Sequence, residues 1–119
     1  MEESVALRSY FQAHKQEMID TLAAWVAVPS VRGNARPGMP YGAEPARMLK
    51  LALEQYAALG FQTESVADCM GSVELNDLPA ALAVLCHLDV VPAGEGWSQD
   101  PFVLTYRQEF HLLSAAIPD

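Results

Sequence analysis

Ala80-Ala81-Leu82-Ala83-Val84-Leu85-Cys86 is an uninterrupted apolar run that leads directly into His87-Leu88-Asp89. Asn76-Asp77-Leu78-Pro79 stands before it and reads as a turn. A short, continuous apolar run between turn signals is the pattern of a strand buried on both faces. The spacing therefore predicts a central strand over Ala80–Leu85, and this reading decides the fold class.

Toward the N-terminus the pattern alternates and then turns helical. Phe61 to Val66 reads as a strand, Asp68 to Gly71 as a turn, and Ser72 to Leu75 as a second strand. Before Gly60, Leu49, Leu53, Tyr56 and Leu59 fall near helical spacing, and Glu44 and Pro45 suit that helix's first turn. Gly60 is its natural stop. Ser30 to Gly42 holds Gly33, Pro37, Gly38, Pro40 and Gly42, which reads as a loop. Leu7, Phe11, His14, Met18, Leu22 and Trp25 recur at steps of three and four. They predict one long helix from about Ser4 to Ala27, ended by Pro29.

Toward the C-terminus, Val103 to Tyr106 is strand-like, and Arg107 to Asp119 carries weak patterning that finishes a strand around Leu112 and Leu113. The expected architecture is α/β: two N-terminal helices packed on a mixed sheet with Ala80–Leu85 at its centre. No repeat or linker divides the 119 residues, which suffice for one domain.

Composition narrows the function classes. Hydrophobic residues make up 51% and charged residues 18%, which excludes an intrinsically disordered chain. Seven basic against fifteen acidic residues give a net charge of −8, so nucleic acid and anionic membrane surfaces are poor candidate partners and neither is expected. No apolar stretch approaches the ~20 residues of a membrane helix. Met1-Glu2-Glu3-Ser4 lacks the basic start of a signal peptide. The two cysteines, Cys69 and Cys86, make no disulfide framework, and Cys86 reads as a small buried hydrophobe. These features together lead us to expect a cytoplasmic protein.

His87 and Asp89 carry the chemistry. Residues two apart on a strand share a face. A histidine at such a strand end can bind a metal through one ring nitrogen while a neighbouring carboxylate takes the other ring N–H. Spacing alone favours a plainer reading, in which His87 ends the strand and Asp89 caps the next turn.

A longer motif shifts that balance. His87-Leu88-Asp89-Val90-Val91-Pro92-Ala93-Gly94-Glu95-Gly96-Trp97, followed by Asp100-Pro101-Phe102, resembles the first metal-binding motif of a zinc metallopeptidase family. That family includes aminoacylases, carnosinases and bacterial Xaa-His dipeptidases. Val28-Pro29-Ser30-Val31, Pro40-Tyr41-Gly42 and Gly71-Ser72-Val73-Glu74 extend the likeness, which runs from about residue 5 to 106 and is strongest for the bacterial dipeptidase branch.

The resemblance implies that His87 is a ligand of one of two zinc ions. It implies that Asp89 is the acid, assigned a catalytic role in the family, that tunes this histidine. It implies a dipeptide or small peptide as substrate. The aspartate that bridges the two zincs in the family falls by spacing on Asp119, but Ser114-Ala115-Ala116-Ile117-Pro118 does not match the glycine-arginine segment that belongs before it. The family's general-base glutamate, its carboxylate ligands, its distal histidine and its smaller second domain have no counterpart here.

The chain is thus expected to be an incomplete, N-terminal part of a zinc-peptidase catalytic domain, family-like to about 106, with a divergent tail over 107–119. A truncation or reading-frame change near Arg107 would account for that tail. Alone the chain is expected to be inactive. The alternatives are an interaction fragment that associates with a full-length relative, or with itself, through an open sheet edge, and a remnant without a role. Away from the motif, His14 reads as a half-buried structural histidine and His111 as a solvated one. Trp97 reads as packing its loop, Glu95 as exposed, and Trp25 and Met18 as core.

Overall fold

In a computed structural model the structure describes residues 2–107 and 110–113. Three helices come first: α1 (Glu2–Ala13), α2 (Lys15–Val26) and α3 (Ala43–Ala58). Four strands follow: β1 (Gln62–Val66), β2 (Met70–Glu74), β3 (Thr105–Arg107) and β4 (Phe110–Leu113). The fold is of mixed α and β composition, as expected. Asp119 and the side chain of His111 lie outside the described residues.

The single long helix of the sequence reading is divided at His14, whose φ is −102° and ψ 10°. Helical bonding continues across the break, since His14 N–H donates to Tyr10 O at 3.0 Å and Met18 N–H to His14 O at 3.1 Å. The division is therefore a bend. A side-chain contact and a ring contact accompany it: His14 Nδ1 lies 3.0 Å from Glu17 Oε2, and its ring meets that of Tyr10 at a tilt. Only the far end of the apolar stripe reaches a core. Leu7, Phe11 and Met18 are exposed, which corrects the placement of Met18 in the core. Trp25 packs against buried Val28, Met48 and Ala52, together with Leu51 and Leu88.

Helix α3 holds this small core from one side and the β1–β2 hairpin from the other. Trp25 Nε1–H donates to Gln55 Oε1, and the Trp25, Tyr56 and Phe61 rings meet edge to face in succession. On the hairpin side a side chain on Gly71 would meet Leu53 and Leu49, so a glycine lets β2 approach the helix closely. β1 and β2 pair antiparallel from Gln62↔Glu74 to Val66↔Met70. β3 and β4 form a second antiparallel pair.

The predicted central strand is absent. The two sheets have two strands each, and Ala80 to Asp89 belongs to neither. Leu82, Val84 and Leu85 are 82%, 81% and 95% exposed. A strand exists only where a neighbouring backbone accepts and donates its ladder bonds. Among the described residues no backbone pairs with Ala80–Cys86, so the apolar pattern is present without its ladder. For the same reason Cys86 is exposed, not buried.

Candidate functional site

The chain meets the core again immediately after this exposed run. Leu88 packs against the core, whereas His87 and Asp89 on either side of it have side chains 84% and 67% exposed. Extended backbone sends successive side chains to opposite sides. Burying Leu88 therefore turns His87 and Asp89 outward together, on one side, as the sequence spacing requires.

The backbone here is pinned to the segment that follows α2. Val31 and Val90 form an isolated parallel bridge. Val90 N–H donates to Ser30 O at 3.2 Å, and Ser30 Oγ–H donates to Leu88 O at 2.7 Å. Ser30 is 2% exposed. Pro29 and the end of α2 fix where this segment leaves the helix, so α2 indirectly places the histidine.

His87 and Asp89 are brought together, and two acceptors on Asp89 face one ring nitrogen. His87 Nδ1 is 2.9 Å from the Asp89 backbone carbonyl and 3.6 Å from the carboxylate Oδ1. The nearer partner is the carbonyl, whereas the sequence reading looked only to the carboxylate. A carbonyl oxygen can only accept, so Nδ1 carries the proton in the neutral ring. Nε2 then holds the free lone pair and points away from both acceptors. This is the protonation pattern of a metal-ligating histidine.

Beyond this pair the donors do not converge. Among the described residues no three His, Cys, Asp or Glu side chains are grouped so as to hold a metal ion. Glu95 is exposed. Trp97 folds back on its own loop, its Nε1–H donating to Ala93 O at 2.8 Å. Asp119 lies outside the described residues, so it is not placed relative to His87. Ser30 escaped the sequence reading as a functional residue. Val28-Pro29-Ser30-Val31 was the signal, but nothing in that tetrapeptide shows that its hydroxyl reaches the residue next to His87.

A larger concavity lies elsewhere. An open groove of about 360 Å³ runs between α3 and the β1–β2 hairpin, with Leu49, Leu53, Thr63 and Ser65 among its walls. None of its lining residues belongs to the His87–Asp89 turn. Among the described residues no helix is long and apolar enough to cross a membrane.

No protein-family model matches the chain. It is similar to curated bacterial proteins. It is 37% identical over 93 residues to a Staphylococcus haemolyticus protein named "Putative dipeptidase", a match covering 76% of this chain and 20% of that protein. It is 36% identical over 110 residues to a Staphylococcus aureus (strain USA300) protein of the same name, covering 91% of this chain and 24% of that protein. The chain thus spans about a fifth to a quarter of the length of the curated relatives it matches.

Proposed function

We propose that this chain is one part of a zinc-dependent hydrolase of dipeptidase type, and that it contributes one metal ligand, His87, with Asp89 as the group that fixes its ring. The observation that carries the reading is the His87–Asp89 geometry: Nδ1 held at 2.9 Å by an acceptor-only carbonyl, with Nε2 exposed. The similarity to two proteins named as dipeptidases supports the reaction class. A dipeptide or small peptide is the proposed substrate.

The donor set fits one coordination position and not a whole centre. A catalytic zinc takes about three protein ligands and a water, and the described residues group no such set. Hydrolysis also needs a base placed to take the proton of that water. The described residues hold and orient one ring and group no complete site; we infer that the chain alone is inactive. Asp119 remains the spacing-based candidate for a second ligand.

A chimera tests the reading. Residues 1–106 would replace the matching segment of the Staphylococcus haemolyticus relative, and zinc-dependent dipeptide cleavage would be compared with that of the relative itself. Cleavage by the chimera, its loss on chelation, and its loss in His87→Ala are the expected results. Undiminished cleavage with His87→Ala would overturn the assignment. Robust, zinc-dependent cleavage by the isolated chain would overturn its inactivity.

A second reading rests on the exposed run. Ala80–Cys86 carries no charge, proline or glycine, and its outward side chains include Leu82, Val84 and Leu85. Such a segment seeks a backbone partner. In this reading the chain is a non-catalytic fragment that associates with a longer relative or with a second copy of itself.

A further inference from the structure

Ser30 is the one buried polar side chain among the described residues. A buried hydroxyl is tolerated where it is hydrogen-bonded, so its partners say what it holds. Its Oγ–H donates to Leu88 O at 2.7 Å, across 58 positions of sequence. Its own carbonyl accepts from Val90 N–H at 3.2 Å.

These two bonds grip the two peptide groups that flank Asp89. Leu88 C=O belongs to the first of them and Val90 N–H to the second. The second peptide group also contains the Asp89 carbonyl. A trans peptide is planar, with its N–H and C=O directed oppositely, and the described chain has no cis bond. A donor bond from Val90 N–H to Ser30 on one side therefore aims Asp89 C=O to the other side. There His87 Nδ1 lies, at 2.9 Å.

We propose that Ser30 is the positioning residue of His87: by holding both peptide groups around Asp89 it aims the Asp89 carbonyl at Nδ1, locks the Nδ1–H tautomer, and leaves Nε2 as the metal-facing lone pair. Only that last step rests on the zinc reading above. The assignment explains why a hydroxyl occupies a position that the neighbouring apolar core would fill with a hydrocarbon. The contribution of the Ser30 carbonyl belongs to the backbone, so removing the side chain removes one of the two grips and loosens the turn without abolishing it.

The test uses the full 119-residue chain, labelled with nitrogen-15, and reads the His87 ring nitrogens and the Val90 amide by NMR. In the unaltered chain His87 should be in the Nδ1–H form and the Val90 amide should exchange slowly. Ser30→Ala should give mixed tautomers and faster Val90 exchange. It should also weaken the response of the His87 ring to added zinc by about tenfold, the scale on which groups orienting a ligand act. Ser30→Thr, which keeps the hydroxyl, should restore the Nδ1–H form.

A purely structural Ser30 would lower the unfolding midpoint without moving the tautomer, and that result overturns the proposal. Should Ser30→Ala fail to fold, the unaltered chain still decides: a rapidly exchanging Val90 amide or an Nε2–H ring overturns it. A Ser30-dependent tautomer with no response to zinc would uphold the positioning role and overturn the metal reading alone.

Discussion

Gly42 leaves no space for a side chain against Gly33: a Cβ there would stand 2.9 Å from Gly33 Cα and 3.0 Å from its nitrogen. The two glycines close the loop that joins α2 to α3, with Gly33 N–H donating to Tyr41 O at 2.8 Å. Gly42 is also the residue before α3, and its φ of 97° belongs to the left-handed side that glycine tolerates. Backbone, not a flexible side chain, is what a Cβ would strike.

Gly42→Ala is therefore expected to lower stability by about 1–3 kcal/mol, combining backbone strain with the clash. Gly38→Ala is the control, because its φ is 70° but nothing lies within 4 Å of its Cβ position. That change should cost about 1 kcal/mol, from backbone conformation alone. Urea unfolding followed by circular dichroism measures both. Equal losses for the two variants would show that the Gly33–Gly42 approach is not tight.

The core is small enough for one methionine to matter. Met48 is 2% exposed and sits between Val28 and Ala52. Met48→Ala should cost about 2 kcal/mol, the low end for such truncations, because half-buried Trp25 and Leu51 border the space and can settle into it. The same unfolding experiment checks it. A change under about 0.5 kcal/mol would mean that this cluster is not what holds α2 to α3.

Local elements were legible in the sequence, and long-range pairing was not. The helical repeat of Leu49, Leu53 and Tyr56 falls within α3, and Gly60 follows its end with a φ of 95°. The Phe61–Val66 and Ser72–Leu75 strands emerge as β1 and β2, displaced by one or two residues. These elements are closed by neighbours in sequence, so local pattern suffices. Ala80–Leu85 differs because its state depends on distant backbone. An apolar run records that burial is favourable, not that a partner is present to supply it. His87 and Asp89 were legible as a pair because alternation is local, while the Ser30 grip on their backbone spans 58 positions and leaves no periodic trace.

Exposure of the run has a chemical consequence. Cys69 and Cys86 are both free and exposed. Both should react with a water-soluble aromatic disulfide in the native chain, giving two equivalents without denaturant. Cys69→Ser should leave one equivalent that reacts rapidly. Slow modification of Cys86 that accelerates only in urea would show the run to be covered, as the apolar pattern first suggested.

A second copy is one partner that would shield it, and charge decides how that association would respond. Each chain carries a net charge of −8, so association works against repulsion that salt screens. Ala80–Cys86 is itself uncharged, and pairing there places no like charges face to face. Association through the run should therefore strengthen from 0.05 to about 0.5 M salt, as the screening length falls toward a few ångströms. Leu82→Lys places a cation within the run at a side chain that is 82% exposed. It should leave monomer stability within about 0.5 kcal/mol, since the side chain is largely exposed. It should also reduce association, because an ammonium set into an apolar segment opposes strand pairing there. Sedimentation velocity across protein and salt concentrations reads both effects. Association that persists unchanged in Leu82→Lys would place the contact elsewhere on the chain.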